Sequence, residues 1–301
     1  MRNTFFKRLP EEMRKDRSLF FLMGDTGFNL VEPIFQEFPD RSMNVGIAEQ
    51  NLIGIAAGLS NQGFRPVCYA ISNFLVQRCL EQIRNDICLH KYRAILVGTS
   101  TGLDNGALWA THYVVDDVGC LKPLPNISIY SPSSLEGMNA AFDEILGLEH
   151  AAYIRFGKSN FSDGSDGTKV NRFVLKNDAA KVLVIAHGRM IMNALEAEKL
   201  SPGSCSIFAM DRIKPFDDEL LRSLVSTYSH IAVVENNFKS GLYNSLCQWV
   251  VEQDMRPASF ISISPVEEYK KEAGDIAYLE GLYGLTPKHI ADKVRALAQS
   301  S

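Results

Sequence analysis

Gly46-Ile47-Ala48-Glu49-Gln50-Asn51-Leu52-Ile53-Gly54 is the stretch on which the fold turns. It sets one carboxylate, Glu49, at the start of a helix whose other residues are mostly apolar or small, and Ile55-Ala56-Ala57-Gly58-Leu59 continues the pattern. Small residues at helical spacing let another surface approach closely, so this face suits a flat ligand or a subunit interface. Glu49 has two readings on spacing alone: a first-turn charge that complements the helix dipole, or a proton donor in apolar surroundings, where a carboxyl group holds its proton more tightly.

Outward from this helix, short apolar runs alternate with helix-length amphipathic segments. Residues 19–23, 66–71, 94–97, 127–130 and 153–156 read as strands, with helices from 47, through 84–89 and over 135–146; the opening Met1-Arg2-Asn3-Thr4-Phe5-Phe6-Lys7-Arg8 reads as a first helix rather than a targeting peptide, because Glu11, Glu12 and Asp16 follow at once. The polar run 158–167, rich in Gly, Ser and Asp, reads as a linker. Beyond it, strands are expected at 182–186, 206–209, 231–234 and 260–263, separated by helices near 191–200, 217–228 and 242–253. The order predicts two doubly wound α/β domains, 1–165 and 166–301.

Composition narrows the function. With 46% hydrophobic and 22% charged residues the chain has an ordinary globular make-up, and no apolar run approaches the roughly 20 residues of a membrane span. A net charge of −4 gives no basic footprint for nucleic acid or anionic membrane, and a cytoplasmic enzyme is expected. The six cysteines are scattered without paired spacing, which points to neither a zinc site nor a disulfide framework.

Gly46-Ile47-Ala48-Glu49-Gln50-Asn51 followed by Ile53-Gly54-Ile55-Ala56-Ala57-Gly58-Leu59 resembles the motif of transketolase and its thiamine-diphosphate relatives. The resemblance covers essentially the full length: a pyrimidine-binding domain comes first, and 181–188, 213–217, 233–235 and 283–286 resemble the family's C-terminal domain. It implies that Glu49 bonds N1′ of the cofactor's aminopyrimidine and promotes the tautomer that activates the thiazolium carbon. Phe74, in Ser72-Asn73-Phe74 ahead of Arg78, matches the aromatic that packs on the pyrimidine, although a Phe at a strand-to-helix junction is also an ordinary core residue. Ile71 stands where a second family aromatic is usual. Asp25, in Gly24-Asp25-Thr26-Gly27, lies at the family's acidic motif or is simply a strand-end turn residue. His112, in Ala110-Thr111-His112, matches the histidine that bonds the donor sugar, and otherwise reads as a loop residue.

The resemblance also exposes a missing half. The family holds Mg2+ and the diphosphate with Gly-Asp-Gly and an Asn about 25 to 30 residues later, hard oxygen ligands suited to that metal. Neither is found here, so the Mg2+ (or Ca2+) and the diphosphate are expected on a separate diphosphate-binding chain, in an α2β2 heterotetramer, with this chain inactive alone. Substrate positions depart from the family as well. Gly106-Ala107-Leu108-Trp109 replaces a Gly-Glu-Asp-Gly pattern that reads hydroxyls, Ser100 replaces a histidine, Asn29 a serine and Lys158 an arginine; of the phosphate contacts only Arg2 keeps its type. The resemblance implies a transketolase subunit that moves a two-carbon ketol unit from a ketose donor to a non-standard aldehyde acceptor, with Leu108 and Trp109 greasing the channel. The alternatives are a β subunit of a 2-oxo acid dehydrogenase, a deoxyxylulose-phosphate-synthase-like enzyme, or a non-catalytic partner subunit.

Overall fold

The computed structural model describes residues 1–299 and contains two sheets. Strands β1 (Leu19–Met23), β2 (Ser42–Asn44), β3 (Arg65–Ile71), β4 (Ile95–Thr99), β5 (Ile127–Tyr130) and β6 (Ala151–Phe156) run parallel in the order β5-β6-β4-β3-β1-β2. Strands β7 (Asn171–Leu175), β8 (Val182–Ala186), β9 (Cys205–Met210), β10 (Arg212–Lys214), β11 (His230–Val234) and β12 (Ser259–Ile263) follow. Five of them form the second sheet, β12-β11-β8-β9-β7, parallel except for β7 at its edge. The sixth, β10, leaves that sheet and pairs antiparallel with β5 of the first.

Burial explains the strands. Both faces of the first sheet are covered, so β1 is buried at every position; Leu19, Phe21 and Met23 face a cluster with Phe5, Leu9 and Phe142, while Phe20 and Leu22 face Leu52, Ile53 and Ala56. The latter core is continuous with Leu183, Ile185, Phe208 and Ile213, so the two sheets share packed interior.

The segment read as a helix over 84–89 is different: one turn at Leu80–Gln82 opens into a wide π turn, Ile83–Cys88, which buries Ile83, Ile87 and Cys88 together. The helix read from 47 begins at Glu49 and ends at Asn61, because Gly46 has φ 74° and Ala48 is extended off the helical region. The helix Pro287–Gln299 packs against β8 and the helix Met190–Leu200, and Ile276–Leu282 precedes it in the chain.

Neighbouring strands lead their connections in opposite directions between β1 and β3 in the first sheet and between β8 and β11 in the second. Ligand crevices of doubly wound sheets lie at such points, outside the carboxyl ends of the strands. The second crevice is already filled. His187, after β8, lies 2.9 Å from the Ser131 hydroxyl, and Asn236, after β11, packs so closely on Gly102 that a Cβ there would sit 1.9 Å from its amide nitrogen. Glu235 is spent on the helix Leu242–Glu252, accepting from the Leu242 and Tyr243 N–H groups at 2.8 and 2.9 Å. Around the first crevice Asn44, Ile47, Gln50 and Arg78 are exposed.

Candidate active site

That first crevice is where Glu49 sits. The helix Glu49–Asn61 follows β2 and packs on the face of β1 and β3, with its first residue against Gly24 at the carboxyl end of β1; a Cβ on Gly24 would lie 3.5 Å from the Glu49 Cγ. Glu49 is 2% exposed, whereas Ile47, two residues earlier, is 77% exposed. A first-turn acid that served the dipole alone would be solvated; this one is enclosed, and its Oε2 accepts a hydrogen bond from Arg78 Nη1 at 2.6 Å. The expected apolar surroundings are therefore corrected by one cation. Arg78 is 43% exposed and held from behind by Gln50, whose Nε2 donates to the Arg78 carbonyl at 3.0 Å.

The Arg78 guanidinium also lies over the Phe74 ring, 4.4 Å from Cζ to centroid, and the other neighbour of that ring is His112, edge-on at 5.4 Å. Glu49, Arg78, Phe74 and His112 thus form one contiguous cluster drawn from three segments. Phe74 comes from the short helix Ser72–Val76 after β3, and Asn73 ties that helix to the His112 loop, its Nδ2 donating to the Thr111 carbonyl at 2.6 Å. His112 Nδ1 lies 2.9 Å from Thr111 Oγ1, which fixes the ring, and Nε2 meets no partner among the described residues. Ile71 is half-buried at the end of β3, beside this cluster in sequence.

The remaining sequence candidates occupy a second rim of the same carboxyl edge. Asp25 has φ 48° and exchanges bonds with Asn44, accepting from Nδ2 at 2.9 Å, as a strand-end turn residue would. Exposed Asn29 lies beyond Gly27, whose missing side chain lets Tyr69 approach; Arg2 and Thr99 neighbour the Tyr69 hydroxyl. Lys158 follows β6 with its backbone N–H on Asp104 Oδ2 at 2.9 Å, and the next carbonyl, that of Ser159, accepts from the Met1 nitrogen at 2.6 Å, bringing Arg2 and Lys158 to one side. Burial raises the Asp104 carboxyl above its usual range, against the opposing pull of Lys158, Arg189 and Arg155. Ser100 is buried after β4 with φ 60°. No contact links these residues directly to Glu49.

Leu108 and Trp109 are 56% and 47% exposed on the loop before His112, and Trp109 holds φ 71° and ψ −177°, a region that costs a side-chain-bearing residue about 1–3 kcal/mol. Sequence reasoning missed what holds it there: the indole Nε1 donates to the Lys271 carbonyl at 2.7 Å, in the second domain. It also missed the buried support under the site. Asp117 accepts from Arg155 Nε at 2.8 Å and from the Tyr153 hydroxyl at 2.7 Å, all enclosed. No spacing pattern announces either. Among the described residues no group of three or more His, Cys, Asp or Glu is arranged to hold a metal ion.

Residues 1–163 match the family model for the transketolase pyrimidine-binding domain, and 172–290 that for the transketolase C-terminal domain. The chain belongs to the transketolase family. Thiamine diphosphate is the cofactor that family implies, and the cluster fits its pyrimidine end: an enclosed carboxylate with Oε1 free of recorded bonds, beside an aromatic ring and a histidine. The 6-deoxy-6-sulfo-D-fructose transketolase subunit SqwH of Clostridium sp. (strain MSTE9) is 26% identical over 96% of this chain and 92% of its own length. An apulose-4-phosphate transketolase subunit of Actinobacillus succinogenes is 28% identical over 98% and 97%. A solved split-gene transketolase, described as an inactive β4 tetramer, superposes with a TM-score of 0.85 at 26% identity, covering 98% of this chain and 96% of that one. This transketolase-family chain therefore spans nearly the full length of those relatives. No helix among its described residues is long and apolar enough to cross a membrane.

Proposed function

We propose that this chain is the pyrimidine-side subunit of a two-chain, thiamine-diphosphate-dependent transketolase that moves a two-carbon ketol unit from a ketose donor to a non-standard aldehyde acceptor. The observation that carries the reading is the enclosed Glu49 at the switch point of the first sheet, within one cluster with Phe74 and His112. When bound, the cofactor supplies a nucleophilic thiazolium carbon and an electron sink. Glu49 holds the proton shared with a pyrimidine ring nitrogen, and Arg78 fixes the carboxylate so that Oε1 is the atom presented. Phe74 and Ile71 wall the ring, with Asp25 at the neighbouring turn. His112 offers Nε2 to the donor's oxygens.

Arg2, Asn29, Ser100 and Lys158 form the distal substrate rim. Lys158 meets an anion as a point charge, without the fork of an arginine. Leu108 and Trp109 form an apolar wall where hydroxyls would otherwise be read, which favours an acceptor with fewer hydroxyl groups, or one that is unphosphorylated or carrier-linked. The named activities of the two relatives, on a sulfonated sugar and on apulose phosphate, are in keeping with a family branch given to unusual substrates. Their two-chain build also favours this reading over a synthase-like enzyme, a dehydrogenase β subunit or a non-catalytic partner.

The diphosphate and its Mg2+ (or Ca2+) belong to the partner chain in an α2β2 heterotetramer, in the cytoplasm, and the division of this chain falls at 165/166. Exposed Ile47, Met43 and Phe28 beside the glycine face of Glu49–Asn61 are the surface such a partner would cover. Co-expression with a chain carrying Gly-Asp-Gly and a following Asn tests this: ketol transfer is expected only from the two chains together with thiamine diphosphate. Full turnover by this chain alone refutes it.

A further inference from the structure

The loop that carries His112 is gripped by the second domain at several independent points. Residues 265–274, after β12, have no regular structure of their own and run against the loop 101–113. The Trp109 indole donates to the Lys271 carbonyl at 2.7 Å, the Tyr113 hydroxyl lies 2.9 Å from that of Tyr283 and 3.2 Å from the Lys270 carbonyl, and the Gly274 N–H donates to the Gly106 carbonyl at 3.3 Å. Tyr283 closes the strap on itself, donating to the Glu268 carbonyl and accepting from the Lys270 N–H, both at 3.0 Å. The Tyr269 hydroxyl adds a bond to Asp116 at 2.6 Å. At Gly106 the approach is so close that a Cβ would lie 2.1 Å from Leu279 Cδ1.

We propose that residues 265–274 are a positioning strap for the substrate loop and that Trp109 is its latch. The argument is one of mutual dependence. Trp109 adopts a left-handed backbone that a tryptophan abandons unless its side chain is anchored, and the His112 N–H bonds the Trp109 carbonyl at 2.9 Å, so the turn that Trp109 holds sets where His112 points. Among the described residues the indole N–H is anchored by the strap alone, and the strap is ordered by the loop and by Tyr283. The second domain, whose own crevice is filled, thereby acts on the reaction through the histidine loop. Trp109 is a positioning residue as well as a wall. The effect on turnover rests on the functional reading above; the coupling of loop and strap does not.

Trp109→Phe keeps an aromatic side chain and deletes the indole N–H. In the full chain, amide hydrogen exchange over 104–113 and 265–274 is expected to quicken together by about tenfold, with the helix Glu49–Asn61 unchanged. Tyr283→Phe, which removes the hydroxyl hub, is expected to loosen the same two segments. In the complex with the diphosphate-binding chain, kcat/KM for transfer from β-hydroxypyruvate to glycolaldehyde is expected to fall by up to about 100-fold while the dissociation constant of thiamine diphosphate stays put. Unchanged exchange in both segments overturns the latch, and so does cofactor affinity lost in step with rate. A wild-type complex that transfers no ketol unit defeats the functional reading, and the exchange measurement then decides the latch by itself.

Discussion

Arg78 reaches Glu49 across 29 positions of sequence, Nη1 to Oε2 at 2.6 Å, while the same guanidinium covers one face of Phe74. The carboxylate is buried and the cation is nearly half exposed, so the pair fixes one oxygen and leaves the other free. A charge-assisted bond of this kind selects a rotamer more than it stabilises the fold.

Glu49→Gln keeps the side chain's size and removes the acid. The free chain is expected to melt within about 1 kcal/mol of wild type, since only a half-exposed ion pair is lost. Assembly with the partner chain should persist in size-exclusion chromatography, and turnover should fall by about 10²–10⁴-fold, the range of a positioned proton-transfer group. Unchanged turnover would remove Glu49 from the mechanism.

Arg78→Ala leaves the enclosed Glu49 without its donor. Hydrogen bonds to charged groups contribute about 1.5–3 kcal/mol when buried; here water reaches the arginine, and a loss of about 1 kcal/mol in urea denaturation is expected. Turnover should drop about tenfold as the carboxylate samples other rotamers. A variant as fast as wild type would show that Glu49 is oriented by its backbone alone.

Much of this was legible in sequence, for physical reasons that also mark the gaps. Strand β8 has the bounds its sequence predicts, 182–186, because a parallel strand buried on both faces reads as an unbroken apolar run, and β5, Ile-Ser-Ile-Tyr at 127–130, keeps its predicted bounds with one buried serine between apolar residues. Strands β2 and β10 are three residues each, Ser-Met-Asn and Arg-Ile-Lys, with too few positions to show a period. The π turn at 83–88 reads in sequence as an ordinary helix, because one extra residue per turn leaves the apolar pattern nearly intact. At the site, Glu49, Phe74 and His112 lie in local strings that a motif can carry. The Arg78 bond to Glu49 and the Trp109 bond to Lys271, 162 positions apart, are products of tertiary packing and have no local signal.

Arg172 ties the polar run 158–167 to both domains. Its Nε donates to Asp163 Oδ2 at 2.8 Å, Nη1 to Asp211 Oδ2 at 2.9 Å and Nη2 to the Ser134 hydroxyl at 2.6 Å. Asp211 is fully buried, and burial already raises its carboxyl above the usual range against the pull of this arginine. Arg172→Met leaves that acid uncompensated and is expected to cost about 3–5 kcal/mol in urea denaturation. Adding Asp211→Asn should restore part of the loss; a single variant as stable as wild type would mean that the cluster is already neutral.

Lys122 lines a cavity of about 540 Å3 between the domains, with Phe216, Ser240 and Trp249. Burial pulls its ammonium down from 10.5 to about 8, opposed by Glu235 and assisted by Lys214. A group depressed on folding binds its proton more weakly in the native state, so its favourable contribution is complete above about 10.5 and is lost as pH falls through about 8. Wild type should therefore gain stability relative to Lys122→Met as pH rises from 8 to 10.5, and the variant should be the more stable at pH 7 by about 1–3 kcal/mol. Parallel stability profiles for the two proteins would contradict the depressed ammonium.

Gly54 and Gly58 stand on the outer face of the helix Glu49–Asn61, and a Cβ at either meets nothing within 4 Å. Nothing inside this chain requires a glycine there. In an exposed helix interior a larger side chain is favoured over glycine by about 0.5–1 kcal/mol, so Gly54→Leu should raise the melting temperature of the isolated chain or leave it unchanged. If the diphosphate-binding chain lies against this face, the same leucine holds the two backbones apart and fills the space beside Glu49. Its affinity for the partner is then expected to fall by at least about tenfold, the equivalent of about 1.4 kcal/mol, in a direct binding titration. A stable Gly54→Leu chain that still assembles at wild-type affinity would move the partner to another surface.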